Sequence, residues 1–202
     1  MPEAARLHAR IVRVDRAPVF VTSRPEKARE ASRLGFTLEC VPLDLAEPQA
    51  LDPLTVVDAK ARAAFQQLQR PVIVEDSGLE VHAWRRFPGA LIKWLEKTAG
   101  VESLARMLDP FGQRGATATC AVAYFDGSRL TAARGESAGS IAPAPRGTGG
   151  FGWDCVFIPD GSSLTFAEMS DEEKDRVSHR RRAWENLADG LPEVFGERRP
   201  SS

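Results

Sequence analysis

Four short stretches of this chain combine residue types that can do chemistry. In Thr22-Ser23-Arg24-Pro25-Glu26-Lys27, two hydroxyls and a lysine sit where a helix begins. Helix-start amides with such side chains can cradle phosphate oxygens, although a plain capped helix accounts for the same residues. It is not a GxxxxGK[ST] loop. In Glu75-Asp76-Ser77-Gly78, two adjacent carboxylates of an extended chain point to opposite sides, so one faces a cleft while the other supports a neighbouring layer. Asp76, which enters the predicted loop, is the candidate: it can hold Mg²⁺, which favours one or two carboxylates with water and substrate phosphates, or simply cap the Gly78 turn. In Gly149-Gly150-Phe151-Gly152-Trp153-Asp154, glycines allow close backbone approach, two aromatics can sandwich a flat ring and an Asp can accept hydrogen bonds, although aromatics before a strand are also common core. The fourth is Glu172-Glu173-Lys174-Asp175 followed by Ser178-His179-Arg180-Arg181-Arg182. On one unbroken helix Lys174, His179 and Arg180 fall at about 0°, 140° and 240° and cannot all face one pocket. Either only some of them act, as on an ordinary solvated charged face over Trp184, Leu187 and Leu191, or the helix breaks near Ser178, which becomes a new N-cap.

The elements that must position these residues follow from periodicity and turn chemistry. Ala17 to Thr22 reads as a strand, with a helix from Pro25 to Gly35 capped by Ser23 or Arg24. Thr37 to Leu43 is a second strand. Leu54 to Gln69 is a helix with Val57, Ala61, Ala64, Phe65 and Leu68 on one stripe. Pro71 to Glu75 is a buried strand ending in the Asp76-Ser77-Gly78 loop, where open α/β sheets bind ligands. Pro88 to Lys97 and Val101 to Leu108 are helical; Ala116 to Phe125 and Arg129 to Gly135 form a hairpin about Asp126-Gly127. Ile141 to Gly150 is a Pro/Gly-rich loop, Cys155 to Pro159 a strand, and Ser170 with Glu173 a capping box opening a helical pattern to Leu187. The expectation is an α/β fold: a mixed, twisted central sheet flanked by helices, in two lobes with a cleft between them. Residues 17–191 form one domain, with frayed tails at 1–16 and 192–202.

Composition narrows the partners. With 28 acidic and 27 basic side chains, the net charge of −1 offers no global field for nucleic acid or an anionic membrane. No apolar run approaches the length of a bilayer span, and the amino-terminal stretch lacks the continuous apolar region of a signal peptide. Three cysteines without a CxxC pair, Cys40, Cys120 and Cys155, fit reduced thiols and a cytoplasmic setting. His8, His82 and His179 have no metal-ligand spacing, so a metal would take oxygen ligands.

Taken in order, the motifs resemble the inosine triphosphatase family, which hydrolyses ITP, dITP and XTP to the monophosphate and pyrophosphate. The family's T-[GS]-N-x-x-K matches Thr22 to Lys27; its acidic motif matches Val74-Glu75-Asp76-Ser77-Gly78-Leu79; a Pro-Gly segment matches Phe87-Pro88-Gly89 through Ile92-Lys93-Trp94. F-G-[YW]-D is Phe151-Gly152-Trp153-Asp154. The A-E-M…K…S-H-R ending is Ala167-Glu168-Met169, Lys174 and Ser178-His179-Arg180. The resemblance covers Thr22 to about Leu187.

It implies that Thr22, Ser23, Arg24 and Lys27 hold phosphates and that Asp76 is the catalytic carboxylate and a Mg²⁺ ligand, with Glu47 as a second metal-binding acid. Lys60 (aligned across a one-residue gap), Ser77, Lys93 and Lys174 fall on substrate contacts. Phe151, Gly152, Trp153, Asp154, His179 and Arg180 fall on the nucleobase pocket. The broken helix follows from the same convergence, and a homodimer is implied. Arg24, Lys27, Lys93, Lys174, His179 and Arg180 would then meet in one cleft, focusing positive charge that acids offset elsewhere. Three positions depart from the pattern. Arg24 stands where the family has Asn, and so adds a phosphate contact, takes over part of the metal's electrostatic work, or points away. Cys155 replaces a Pro, and the stretch after Glu47 lacks a Gly-Glu pair. The rival readings are a nucleotide-binding protein without catalysis and an enzyme with a different base range.

Overall fold

The structure is a computed structural model that describes residues 17–196. The tail expected over 1–16 lies outside the described residues. Strands β1 (Val19–Val21) and β2 (Glu39–Val41) pair in parallel, and β1 pairs in parallel with β3 (Val72–Val81). Helix α1 (Pro25–Arg33) links β1 to β2, and α2 (Pro53–Leu68) links β2 to β3. The Asp52 carboxylate caps α2 by accepting from the Leu54 amide at 3.0 Å.

From β3 onward the sheet is antiparallel. Strands β5 (Gly115–Phe125), β6 (Leu130–Ile141) and β7 (Phe157–Pro159) complete the order β2-β1-β3-β5-β6-β7, while the short β4 (Pro88–Gly89) pairs with β3. The sheet is therefore mixed, as expected. At the β5–β6 tip Asp126 Oδ1 accepts from the Ser128 and Arg129 amides at 2.8 and 2.7 Å, closing the predicted hairpin.

Several boundaries differ from the sequence reading. Asp76, Ser77 and Gly78 are not a loop: β3 runs straight through them, in register with Ala121, Cys120 and Thr119. Gly78 marks a close approach instead of a turn, since a Cβ there would lie 2.8 Å from Thr119 Oγ1 and 2.9 Å from the Gly89 carbonyl carbon. Helix α3 covers Ile92–Ala99 and not Pro88 to Lys97, because Pro88 and Gly89 are taken by β4. Helix α4 covers Val101–Met107. The strand expected from Cys155 begins at Phe157, since Gly152–Cys155 forms a 3₁₀ turn. The expected frayed tail from Pro192 is helical at first: α7 (Pro192–Phe195) sets the Phe195 ring 5.6 Å from that of Phe36.

The long charged segment breaks. Helices α5 (Asp171–Val177) and α6 (His179–Asp189) meet at Ser178, whose backbone is extended at φ −70°, ψ 132°. Its hydroxyl accepts from the Arg180 amide at 3.1 Å, starting α6 afresh. The predicted Ser170–Glu173 capping box opens α5.

Among the described residues, apolar side chains form three buried clusters. On one face of the sheet Phe20, Ile73 and Val122 pack with Trp184, Leu187 and Leu191; on the other, Val19, Val72, Val74 and Ala121 pack with Val57, Ala61 and Ala64 of α2. A third cluster, with Leu79, Leu104, Leu108, Phe157 and Phe166, fills the far half. The parallel strands stop early: β1 ends at Val21 opposite Val74, and β3 carries Glu75 and Asp76 past that edge. A cleft opens there.

Candidate active site

One wall of the cleft is the start of α1. Thr22 Oγ1 accepts from the Arg24 amide at 3.1 Å, shaping the turn, and Pro25 opens the helix. Arg24 occupies the N-cap, but its side chain caps nothing; it lines the cleft with Ser23 and Lys27. Lys27 Nζ lies 3.3 Å from Glu75 Oε1.

The floor is β3. Strand alternation separates its two acids as the sequence predicts. Glu75 is fully buried toward α6, accepting from Arg180 Nε at 3.0 Å and Trp184 Nε1 at 2.9 Å. Burial alone would raise its carboxyl, but Arg180 and Lys27 outweigh burial and hold it below the usual range. Asp76 points to the α2 side, 3.6 Å from Lys60 Nζ, and its Oδ2 is buried with no hydrogen-bond partner among the described residues. Burial lifts its carboxyl above the ordinary Asp value against the pull of Lys27 and Lys60. Glu47 accepts from Lys60 at 3.1 Å and from Lys93. Those two lysines overcome burial and hold Glu47 ionised.

The opposite end is made by Phe151–Asp154 and the start of α6. The Trp153 ring is mostly core, 5.7 Å from that of Phe157, with an edge on the cleft. Phe151 is half-buried, with Arg180 5.4 Å from its ring centre. His179 stacks on Phe166 and lies against Trp153, and neither ring nitrogen has a partner among the described residues. Burial, with Arg180 and Lys174 nearby, keeps it neutral, so it offers one donor and one acceptor.

Of the five cations and one histidine expected to converge, Lys174 alone does not line the cleft. Its ammonium is buried behind the wall, 2.6 Å from Glu30 Oε1 and 2.7 Å from Asp154 Oδ2, because a buried charge needs partners. Asp154 also accepts from the Phe151 amide at 2.8 Å, which fixes the Phe151 turn. Thr22, Ser23, Arg24, Lys27, Glu47, Lys60, Asp76, Ser77, Lys93, Phe151, Gly152, Trp153, Asp154, His179 and Arg180 all line one cleft.

Sequence reasoning missed Glu30. It is buried on α1, one turn after Lys27, and binds both Lys174 and Arg180. Burial would raise its carboxyl, yet Arg180 and Lys174 bring it to about 2. Its i, i+3 spacing from Lys27 was the available signal. Arg180 thus spends Nε on Glu75, one Nη1 proton on Glu30 and one Nη2 proton on Ser77 Oγ, leaving two of its five protons for a ligand.

Fold and cleft together define an α/β protein whose site lies beyond the ends of its parallel strands, lined by lysines and paired carboxylates and walled by aromatics. The family is shown by comparison: the Ham1 family model matches residues 18–190, and the chain belongs to that family. It is 42% identical over 176 residues to an inosine triphosphate pyrophosphatase of Yarrowia lipolytica, covering 84% of this chain and 92% of that one. A dITP/XTP pyrophosphatase of Thermococcus kodakarensis is 39% identical, covering 86% and 96%. Among solved structures, a HAM1 protein from Coxiella burnetii superposes with a TM-score of 0.77 at 25% identity, covering 88% of this chain and 100% of that one. A nucleoside-triphosphatase / dITP/XTP pyrophosphatase from Mycobacterium abscessus superposes with a TM-score of 0.66 at 33% identity, covering 87% and 99%.

Proposed function

We propose that this chain hydrolyses ITP, dITP and XTP to the nucleoside monophosphate and pyrophosphate, cleansing the nucleotide pool. The observation that carries the reading is Asp76 Oδ2, a buried carboxylate oxygen left without a partner on the floor of a cleft whose neighbouring acids, Glu47 and Glu75, are all paired. An oxygen held that way calls for a ligand.

A hard cation fits it. The described residues contain no cluster of three or more His, Cys, Asp or Glu suited to a metal, so Asp76 with Glu47 can supply two carboxylates at most. That donor set suits Mg²⁺, which completes its shell with water and substrate phosphates. When bound, Mg²⁺ neutralises triphosphate charge and eases proton loss from water. The protein does the rest. The Thr22 to Lys27 turn, Lys60 and Lys93 orient the phosphates for attack at the α-phosphorus. Asp76 holds the cation or takes the proton of the attacking water, a role that its raised carboxyl suits.

Base selection falls to the other end. Hypoxanthine and xanthine present an oxygen at position 6 and a protonated N1, while adenine presents an amine and a bare N1. The two remaining Arg180 protons and the neutral His179 would stay unpaired against adenine. Guanine shares both features and differs at position 2, where its amino group donates while the similar-sized oxygen of xanthine accepts, so rejecting it calls for a polar mismatch there. Incubation with ITP and Mg²⁺ should yield IMP and pyrophosphate in equal amounts; orthophosphate, or no product, overturns the reading.

A homodimer is supported by the family resemblance and is checked by sedimentation. A cytoplasmic setting is supported by the free Cys40, Cys120 and Cys155; among the described residues, no helix is long and apolar enough to cross a membrane.

A further inference from the structure

Glu47 rides on residues 42–51, which form neither helix nor strand between β2 and α2. Among the described residues, the backbone of 43–51 takes part in one backbone–backbone hydrogen bond, from the Ala90 amide to the Leu51 carbonyl at 2.8 Å. The segment's other anchor is ionic. Asp52 ends it, and Asp52 Oδ1 lies 3.3 Å from Arg134 Nη1 while accepting from the Leu54 amide at 3.0 Å. Arg134 belongs to β6. The register runs Asp76, Ala121, Arg134 across β3, β5 and β6, so Arg134 shares a row and a face with Asp76, two strands away. Its guanidinium is mostly buried there: Nη2 donates to Glu80 Oε1 at 2.7 Å, and Nε lies 2.6 Å from Glu136 Oε1. Glu80, two side chains beyond Asp76 on the same face of β3, also accepts from Arg86 at 2.7 and 2.9 Å. The Arg134 carbonyl accepts from Asn186 of α6 at 2.9 Å, which fixes the arginine from the opposite face. Arg134 itself lies outside the cleft.

We propose that Arg134 is a positioning residue for the metal-binding acids: by tying Asp52 to Glu80 it keeps Glu47 within reach of the cation that Asp76 binds. The inference rests on the Mg²⁺ reading above and deepens it. Glu47 is held at its carboxylate by Lys60 and Lys93, but those ammoniums are the groups that turn to the phosphates when substrate enters. An anchor that no ligand competes for must then hold the segment, and Arg134 meets that condition because its partners all lie behind the floor. A guanidinium suits the task. Its planar fork reaches Asp52, Glu80 and Glu136 at once, whereas a lysine would offer one point charge. Partners that support a metal ligand in this way are worth about 10- to 100-fold in metal affinity.

The test is binding of Mn²⁺ without nucleotide, followed by electron paramagnetic resonance of the free ion, to the unaltered chain, Arg134→Gln, Asp52→Asn, Arg86→Gln, Glu47→Gln and the Arg134→Gln/Glu47→Gln double variant. Arg134→Gln should weaken Mn²⁺ by about tenfold. Asp52→Asn keeps a helix cap but loses the charge, so it should weaken Mn²⁺ by a similar factor, and it carries the test if Arg134→Gln does not fold. Arg86→Gln loosens Glu80 without touching Asp52 and should shift the affinity by less than about twofold. In the Glu47→Gln background, Arg134→Gln should add less than about twofold, because the residue through which it acts is gone. The Mg²⁺ concentration for half-maximal ITP turnover should rise in step, with kcat at saturating Mg²⁺ falling by less than about threefold. Unchanged Mn²⁺ affinity in Arg134→Gln or Asp52→Asn, or a full effect of Arg134→Gln without Glu47, overturns the positioning role. Equal weakening by Arg86→Gln reduces Arg134 to a structural bond and overturns it too, and a chain that takes up no Mn²⁺ overturns it together with the metal-binding pair. The expected pattern in a chain that releases no pyrophosphate from ITP keeps the positioning role and overturns the function; its failure in a chain that hydrolyses ITP does the reverse.

Discussion

Asp76 keeps a buried carboxylate oxygen unpaired, an arrangement that costs folding free energy and is useful only when something binds there. Asp76→Asn should lower turnover of ITP by at least about 10²-fold, as expected for losing a reacting-centre group. The same variant should melt higher than the unaltered protein in metal-free buffer. The sign follows from the raised carboxyl: the folded state favours the protonated form, so its contribution is present below the unfolded pKa and is lost as pH rises through the folded value, leaving a net penalty at neutral pH. A lower melting temperature for Asp76→Asn would contradict this. Glu30 is the opposite case. Its carboxyl is pulled to about 2 by Arg180 and Lys174, so its stabilisation is present above the ordinary Glu value and fades as pH falls toward 2. Glu30→Ala should cost about 3–5 kcal/mol in denaturant unfolding at pH 7, with the gap to the unaltered protein narrowing below about pH 4. A gap that does not change with pH would place the loss in packing instead of charge.

At the scale of elements, the site depends on one helix break. Ser178 ends α5 and caps α6, which turns His179 and Arg180 inward while Lys174, on the other side of the break, backs onto Asp154. Ser178→Ala should cost about 1 kcal/mol of stability and raise KM for ITP more than it lowers kcat, because it loosens the base wall without touching the reacting atoms. An unchanged KM would show that α6 holds its place without the cap. Gly135 performs the second half of the positioning: a side chain there would run into the backbone of His179 and Ala183, so β6 and α6 meet directly. Gly135→Ala should destabilise by about 1–3 kcal/mol, read from thermal or denaturant unfolding. Neither feature is equally legible in sequence. The break is one of two readings of a charge run that cannot face one pocket, and the family resemblance favours it. Gly78, by contrast, looked like a turn, because a glycine needed for the closeness of Thr119 and β4 is indistinguishable in one sequence from a glycine needed for a bend.

For the molecule as a whole, alternating strand and helix signals with one Asp-Gly hairpin were enough for the mixed sheet, since each rests on local chemistry. What stayed hidden was set by contacts distant in sequence. Glu30 is joined to Arg180 across 150 positions, and Lys174 is drawn out of the cleft by two acids from other elements. The near-neutral charge balance is likewise explained only in three dimensions: most cleft cations are matched by a carboxylate, so basic residues gather locally without making the chain basic. Selective hydrolysis of non-standard purine triphosphates is read from the ratio of kcat/KM for ITP over ATP, measured by pyrophosphate release with Mg²⁺. A ratio of at least about 10² is predicted from the polar mismatch with adenine; comparable values for ITP and ATP would contradict it.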